Sequence, residues 1–144
     1  MLSEMKVLIF LVDDDVLFLK ALEIDFLQNG NFDIETYKSG ELCLENLHKN
    51  PDIIILDYQL DGIDKNAING IETLDKIKEF HPKIPVIMLS QQDKIDVAIN
   101  CMHHKAFDYV VKSETAFIRL QKIIAAIFVY KKMERELNWY MERV

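Results

Sequence analysis

Two short apolar runs that end in aspartate are the strongest constraint on the fold of this chain. Residues 7–12 (VLIFLV) precede Asp13 and Asp14, and residues 53–56 (IIIL) precede Asp57. Runs of this length that are apolar at every position are typical of strands buried on both faces of a parallel sheet. A carboxylate that follows such a strand lies at the carboxyl edge of the sheet, where open α/β folds bind their ligands.

Segments with a helical repeat alternate with strand-like segments along the whole chain. Strands are predicted at 6–12, 32–37, 52–56, 86–89 and 107–111, and helices at 15–29, 39–49, 70–80, 92–103 and from about Ser113 onward. Five strand–helix units in succession predict a doubly wound, five-stranded parallel α/β sheet with right-handed crossovers and helices on both faces.

Composition and charge exclude several classes of protein. The chain has 144 residues, half of them hydrophobic, which suits one domain with a sizeable core. A net charge of −7 argues against a general nucleic-acid surface, so we expect no direct nucleic-acid binding by this chain. No segment resembles a secretory signal or approaches the roughly 20 apolar residues of a membrane span. Cys43 and Cys101 lie far apart in helical patterns and are expected to be buried free thiols, as suits the cytoplasm. The four histidines (48, 81, 103 and 104) are expected at the surface.

The three aspartates predict a metal site. Carboxylates that converge at one sheet edge repel one another unless a cation lies among them. An oxygen-only ligand set favours a hard divalent cation, and Mg²⁺ fits it. Acidic residues at this position can instead cap a helix. We expect Asp15 to serve as that cap, and Asp13 and Asp14 to hold the metal.

Polar residues follow four of the predicted strands. They are Asp13 and Asp14 after the first strand, Asp57 after the third, Ser90 after the fourth, and Lys112 after the fifth with Tyr109 three residues before it. Together they resemble those of response-regulator receiver domains, the phosphoacceptor modules of two-component signalling. The resemblance covers about residues 5–125 and implies a flavodoxin-like fold with strand order 2-1-3-4-5.

This resemblance implies a role for each of these residues. Asp57 would accept a phosphoryl group, and it would share Mg²⁺ with the acidic pair and with the backbone carbonyl of Gln59. Lys112 would supply a positive charge to one phosphoryl oxygen and Ser90 a hydroxyl to another. Ser90 and Tyr109 would be the switch that re-packs the face made by the fourth helix, the fifth strand and the fifth helix.

The implied partners are a sensor histidine kinase or a histidine phosphotransfer protein, and the implied output is a changed partner or dimer affinity. The chain would therefore be a switch and not a metabolic enzyme. Two alternatives stay open. One is a pseudo-receiver, an interaction module that is never phosphorylated. The other is an aspartyl-phosphate phosphatase of the haloacid-dehalogenase type, for which Asp13 and Asp15 have the right spacing, but Leu17 does not fit and little chain is left for a cap.

Two segments depart from the family pattern. Gly70, the glycine that matches the family's, lies thirteen positions after Asp57 instead of eight, so about five extra residues fall within 61–69. We favour a tolerated surface insertion over a lid or partner contact. Lys112 precedes Ser113, where the family usually has a cis proline. A cis bond before another residue costs roughly 2.5–4 kcal/mol, which predicts a trans bond or a strained cis one. Ser113 is also a candidate cap for the last helix.

Glutamines surround the expected phosphorylation site. Gln91 stands where the family usually has a small residue, and with Gln92 it could cover the acyl phosphate. We hypothesise that Gln59 and Gln92 set the lifetime of that phosphate.

The last helix is longer than a receiver needs. The receiver domain is expected to span 1–128, and residues 129–144 to extend the helix past residue 140. Apolar residues continue at three- and four-residue spacings, at Ile123, Ala126, Tyr130, Met133, Leu137, Tyr140 and Val144. This spacing is typical of a coiled-coil seam and predicts a parallel homodimer through this helix. The alternatives are a helix that leads to an output domain and a helix folded back on its own domain.

Overall fold

The computed structural model describes residues 6–144, and its five strands form one parallel sheet. The strands are β1 (Val7–Val12), β2 (Phe32–Tyr37), β3 (Ile53–Asp57), β4 (Val86–Ser90) and β5 (Asp108–Val111). The helices are α1 (Val16–Gln28), α2 (Gly40–Glu45), α3 (Gly70–Phe80), α4 (Ile95–His103) and α5 (Ala116–Met141), with a short 3₁₀ turn at Leu47–Lys49. The order β2-β1-β3-β4-β5 confirms the expected fold.

Each face of the sheet is covered by its own hydrophobic core. Ile9 and Leu11 of β1 pack with α1 and α5, whereas Phe10 and Val12 point to the opposite face and pack with α2, α3 and α4. All four side chains are at most 1% exposed. Because both faces are covered, the central strands are apolar at every position, and burying each such side chain contributes about 1.5–3 kcal/mol.

The register of the strands brings their carboxyl ends together. Val12 pairs with Leu56, which places Asp13 beside Asp57 across adjacent strands. Asp57 in turn pairs with Leu89, so Ser90 follows at the same edge. This edge therefore collects the polar residues that follow four different strands.

Gly70 fixes the end of the long loop after β3. A Cβ atom at Gly70 would lie 2.3 Å from the backbone oxygen of Asp57, so only glycine allows α3 to start this close to the strand end. Asn69 caps α3 through Glu72 N, and the Glu72 side chain accepts from Asn69 N, which forms a capping box. The glycine identified from the sequence thus sets how α3 meets the site.

Several helix boundaries differ from those predicted. The fourth helix starts at Ile95 and not at Gln92, and the fifth at Ala116 and not at Ser113. The predicted helix over 39–49 ends at Glu45, where the backbone tightens into the 3₁₀ turn, and Leu42, expected to face inward, is 41% exposed. In each case a local backbone or side-chain hydrogen bond replaces a helical one, and apolar spacing carries no signal for that.

The fifth helix continues well beyond the sheet. Its inner face packs on the core through Ala116, Leu120, Ile124 and Ile127. From residue 132 to residue 144 every side chain is exposed, so the helix is not folded back on its own domain. The prediction that it extends past residue 140 is confirmed.

The two cysteines are buried, and the four histidines are exposed or half-buried. Cys43 and Cys101 are buried free thiols, as expected, and burial raises the pKa of Cys43 to about 12 and that of Cys101 to about 11. His48 and His103 are exposed, while His81 and His104 are half-buried.

No helix among residues 6–144 combines the length and the apolar character needed to cross a lipid bilayer.

Candidate functional site

The three predicted aspartates meet at the carboxyl edge of the sheet. One carboxylate oxygen from each of Asp13, Asp14 and Asp57 lies within 4.8 Å of the other two. Asp13 is 2% exposed and Asp57 is 4% exposed. Since buried charges of like sign at this distance are strongly unfavourable, the arrangement requires positive charge nearby.

Lys112 supplies part of that charge. Its Nζ lies 2.7 Å from Asp13 Oδ2 and 3.4 Å from Asp57 Oδ1, and its side chain is 8% exposed. The ammonium also lies 4.7 Å from the centre of the Phe18 ring, a cation–π contact that orients it. One ammonium among three carboxylates leaves the site with excess negative charge.

The protonation of the site reflects this excess. Burial and the neighbouring charge of Asp13 raise the pKa of Asp57 to about 8, although Lys112 opposes the shift. Burial alone would lower the pKa of Lys112, but the Asp13 hydrogen bond and the charges of both aspartates outweigh it and raise that pKa. At neutral pH, Asp57 therefore holds a proton or lies beside a further cation.

The donor set fits a divalent metal. Asp14 Oδ2 is buried and has no hydrogen-bond donor among the described residues, and Asp13 Oδ2 has only its ion pair with Lys112. An oxygen left this way loses its hydration without compensation, which costs about 1–3 kcal/mol or more for a charged group. Gln59 N donates to Asp57 Oδ1 at 3.3 Å, so the backbone of Gln59 adjoins the cluster.

Ser90 and Tyr109 are linked through a single residue. Ser90 Oγ accepts a hydrogen bond from Gln92 N at 3.0 Å, and the Tyr109 hydroxyl donates to the Gln92 carbonyl. These bonds hold the backbone of Gln92 outside a helix, which explains why α4 starts three residues later than predicted.

An open cleft of about 470 Å³ leads to the cluster. Its rim includes Gln59, Gly62, Ile63 and Gln91. Gly62 and Ile63 belong to the segment with the extra residues, so this segment reaches the site. Gln91 lines the cleft, whereas Gln92 reaches the site through its backbone N, which donates to Ser90 Oγ.

The sequence model of the response regulator receiver domain family matches residues 9–127 of this chain. The chain belongs to this family. NtrC of Escherichia coli K12, named a DNA-binding transcriptional regulator, is 29% identical over 132 residues, which are 91% of this chain but only 27% of NtrC. The structure of NtrX from Brucella abortus matches with a TM-score of 0.83 at 27% identity, over 97% of this chain and 31% of that one. A CheX–CheY–BeF₃–Mg²⁺ complex from Borrelia burgdorferi matches with a TM-score of 0.73 at 27% identity, over 85% of this chain and 89% of that one.

Membership of the family fixes the general role of the chain. Receiver domains are signalling modules of two-component response regulators, and they interact with histidine kinases or phosphotransfer proteins. They bind Mg²⁺ in an acidic pocket, and this receiver has the acidic cluster. The chain spans about a quarter of the length of NtrC, so the rest of such a regulator has no counterpart within it.

The bond after Lys112 in this receiver is trans, the first of the two alternatives expected from the sequence, and no cis peptide bond occurs within residues 6–144. Ser113 does not cap α5. Its Oγ accepts from Thr115 N at 3.3 Å and its carbonyl from Ala116 N at 3.1 Å, which forms a turn before the helix.

One contact of the receiver site was not anticipated from the sequence. Phe18 lies within the helix predicted over 15–29, and nothing in its spacing distinguishes a ring that faces an ammonium. Asp15 behaves as expected, because its Oδ1 accepts from Leu17 N and Phe18 N at 3.2 Å and caps α1. That cap turns the Asp15 carboxylate to the helix end, which weakens the phosphatase alternative, since that chemistry needs Asp15 as its second acid.

Proposed function

We propose that this receiver accepts a phosphoryl group on Asp57 from a sensor histidine kinase or a histidine phosphotransfer protein. The observation that carries the proposal is the position of Asp57 at the base of an open cleft, buried and paired with Lys112. A structural aspartate at a strand end needs neither the cleft nor two further carboxylates. The free thiols suit a reducing compartment, and we place the protein in the cytoplasm.

In the proposed step, an oxygen of Asp57 attacks phosphorus as the bond from phosphorus to the donor imidazole breaks. The electron pair of that bond stays on the imidazole nitrogen, and the product is an acyl phosphate. Lys112 lies close enough to pair with one phosphoryl oxygen. Bound to Asp13, Asp14, Asp57 and the Gln59 carbonyl, Mg²⁺ would neutralise charge on the phosphoryl oxygens. The CheY complex from Borrelia burgdorferi, which holds both BeF₃ and Mg²⁺, supports this assignment.

We infer that Gln92 couples the two switch residues. If Ser90 turns toward the phosphoryl group, its Oγ leaves Gln92 N. The Gln92 peptide is then free to move, and the bond between its carbonyl and the Tyr109 hydroxyl is lost. Tyr109 can turn inward, which changes the surface made by α4, β5 and α5. Replacement of Tyr109 by Phe removes this bond and keeps the ring, so it should make the inward position easier to reach without phosphorylation.

The test of phosphorylation is intact mass after incubation with acetyl phosphate and Mg²⁺. The wild type should gain one phosphoryl group. Asp57→Asn should gain none, and Asp61→Asn, a carboxyl of the neighbouring loop, should behave as the wild type. No gain in the wild type would support the pseudo-receiver instead.

The surroundings of the site set how long the phosphate persists. We propose that Gln59, with Gln91 or Gln92, positions or excludes the hydrolytic water. Alanine at Gln59 and Gln91 should change the dephosphorylation rate more than alanine at Gln59 and Gln92, because only Gln91 of this pair lines the cleft. Equal rates for both double variants and the wild type would contradict a role for these side chains.

The segment 61–69 is the third element of the site. Gly62 and Ile63 line the cleft, and the Ile63 side chain is 77% exposed. We propose that this segment contacts the phosphodonor, because an insertion that is merely tolerated would not need to line the cleft. Deletion of about five residues should slow phosphotransfer from the kinase but not from acetyl phosphate; unchanged rates with both donors would restore the simpler explanation.

We propose that residues 1–128 are the receiver and that 129–144 pair with a second copy in a parallel dimer. The seam residues are exposed: Tyr130 by 59%, Met133 by 62%, Leu137 by 59% and Tyr140 by 60%. The same helix would connect to any output domain. Light scattering should find a dimer that is lost when the chain is cut after Lys131 or when Leu137 is changed to Glu. A monomer at high concentration would refute the dimer.

A further inference from the structure

A second cavity lies at the opposite edge of the sheet from the phosphorylation site. This basal groove, of about 680 Å³, is formed by residues 51–52 before β3, 82–85 before β4, 105–107 before β5, and the part of α5 between 127 and 135, with Lys78 of α3. Its volume falls in the range of small-molecule sites, roughly 300–1,000 Å³. The overhanging part of α5 forms one of its walls, which gives this extension a use within the domain.

The groove is basic on an acidic protein. Five of its side chains are cationic, Lys78, Lys83, Lys105, Lys131 and Arg135, against two acidic ones, Asp52 and Glu134. The whole chain has a net charge of −7. Cations from four separate elements therefore meet where the average surface of the protein would repel an anion.

These cations have no ion-pair partner within residues 6–144. None of the five forms a salt bridge with a carboxylate of the described residues. Lys78 is half-buried and donates only to backbone carbonyls, those of Ile84 at 2.6 Å and Pro82 at 3.4 Å. Lys131 likewise donates to the carbonyl of Asp52 at 3.3 Å, while the Asp52 carboxylate is held by Leu8 N. Burial and the charge of Lys105 lower the pKa of Lys78, as expected for ammonium groups that face one another without an anion.

The end of α4 places Lys105 at the groove. Lys105 has a φ of 73°, in the left-handed region that glycine prefers. Ala106 N donates to the Cys101 carbonyl at 3.1 Å and Lys105 N to the Met102 carbonyl at 3.0 Å, as in the left-handed turn that commonly ends a helix. This turn accounts for the backbone of Lys105 and sets its position in the groove.

The remaining walls are apolar and aromatic. Pro51, Pro85, Phe107 and Ile127 line the groove. Lysines bind phosphate as point charges, arginine binds it in a bidentate manner, and a flat ring packs on phenylalanine and proline. We propose that the basal groove binds a nucleoside polyphosphate, with its phosphates on the cationic side chains and its base against the apolar wall.

The test is calorimetric titration of the full chain with ATP, ADP, adenosine and inorganic tripolyphosphate, in EDTA so that the acidic cluster takes no metal. ATP should bind saturably, with adenosine and tripolyphosphate each at least about tenfold weaker. Lys105→Gly and Arg135→Gln should each weaken ATP at least about fivefold, and Lys122→Gln, the same kind of charge change on an exposed part of α5, should stay within about twofold. Lys105→Gly relieves the left-handed backbone, so thermal unfolding should show it folded.

Other outcomes would overturn the proposal. If tripolyphosphate binds as tightly as ATP, the base is not recognised and the nucleoside assignment is wrong. If an acidic peptide such as oligoglutamate binds more tightly than ATP, the groove takes a protein segment instead. The site would be excluded if ATP showed no saturable binding at millimolar concentration. It would also be excluded if Lys105→Gly and Lys122→Gln weakened ATP binding equally.

Discussion

Asp57→Asn should stabilise the metal-free protein at neutral pH, although it removes the proposed phosphoacceptor. Asp57 is buried beside Asp13, and its pKa is raised from 3.8 to about 8. A carboxyl whose pKa is higher in the folded chain than in the unfolded chain binds its proton more tightly when folded. The protonated Asp57 carboxyl therefore makes its full contribution to the free energy of unfolding below about pH 4. This contribution is lost as the pH rises toward 8, because folding then requires a buried charge at Asp57.

The size of the effect follows from the same shift. Each unit of pKa corresponds to about 1.4 kcal/mol. The interval between the ordinary pKa of 3.8 and pH 7 therefore allows Asp57→Asn to raise the free energy of unfolding by at most about 4 kcal/mol. The cleft admits water, and Lys112 keeps its ion pair with Asp13, so we expect about 1–3 kcal/mol. In a chain of this size that corresponds to a rise in Tm of roughly 3–10 °C.

The assay is thermal or urea unfolding in EDTA at pH 4, 6 and 8. The variant and the wild type should unfold alike at pH 4 and diverge at pH 8, with the wild type less stable. Asp93→Asn, at an exposed carboxyl, should show no such divergence. Addition of Mg²⁺ at pH 8 should raise the free energy of unfolding of the wild type by about 2.7 kcal/mol at a hundredfold excess over Kd. The increase should be smaller for the variant. A variant that is no more stable than the wild type at pH 8 would refute this account of the charge cluster.

Substitutions at three further positions test other parts of the structure. Lys112→Met should slow phosphorylation by acetyl phosphate about a hundredfold, and Lys112→Arg should not restore it, because the buried space beside Asp13 fits a compact ammonium; mass spectrometry against time measures both. Gly70→Ala should cost at least about 2 kcal/mol in urea unfolding, since its Cβ would meet the Asp57 carbonyl; an unchanged midpoint would contradict the observed packing. Asn69→Ala should cost about 1 kcal/mol by loss of the cap on α3, and Asn69→Asp should recover most of it.

The sequence predicted the fold and the members of the site because both depend on features that are local in sequence. Apolar runs with no polar alternation identify buried parallel strands, and the residue after each run falls at a common edge. This reasoning placed Asp13 and Asp57 together, the family resemblance added Ser90, and the structure brings all three to the same edge.

The structural details that were missed depend on contacts between distant segments. The start of α4 is set by Ser90 and Tyr109, which hold Gln92 from two different strands, and helical spacing contains no trace of that. The ring of Phe18 over the Lys112 ammonium joins residues more than ninety positions apart. The basal groove likewise combines cations from four elements, each of which alone looks like an ordinary solvated lysine or arginine.

The length of α5 has a mechanical consequence. Its contacts with the rest of the domain reach Lys131, and the helix ends at Met141. At about 1.5 Å per residue, the free portion is about 15 Å long. A tilt of about 10° at its base would move the tip by roughly 2.6 Å, about half of one helical turn. Small repacking beneath α5 is thereby converted into a displacement large enough to shift one partner helix against another.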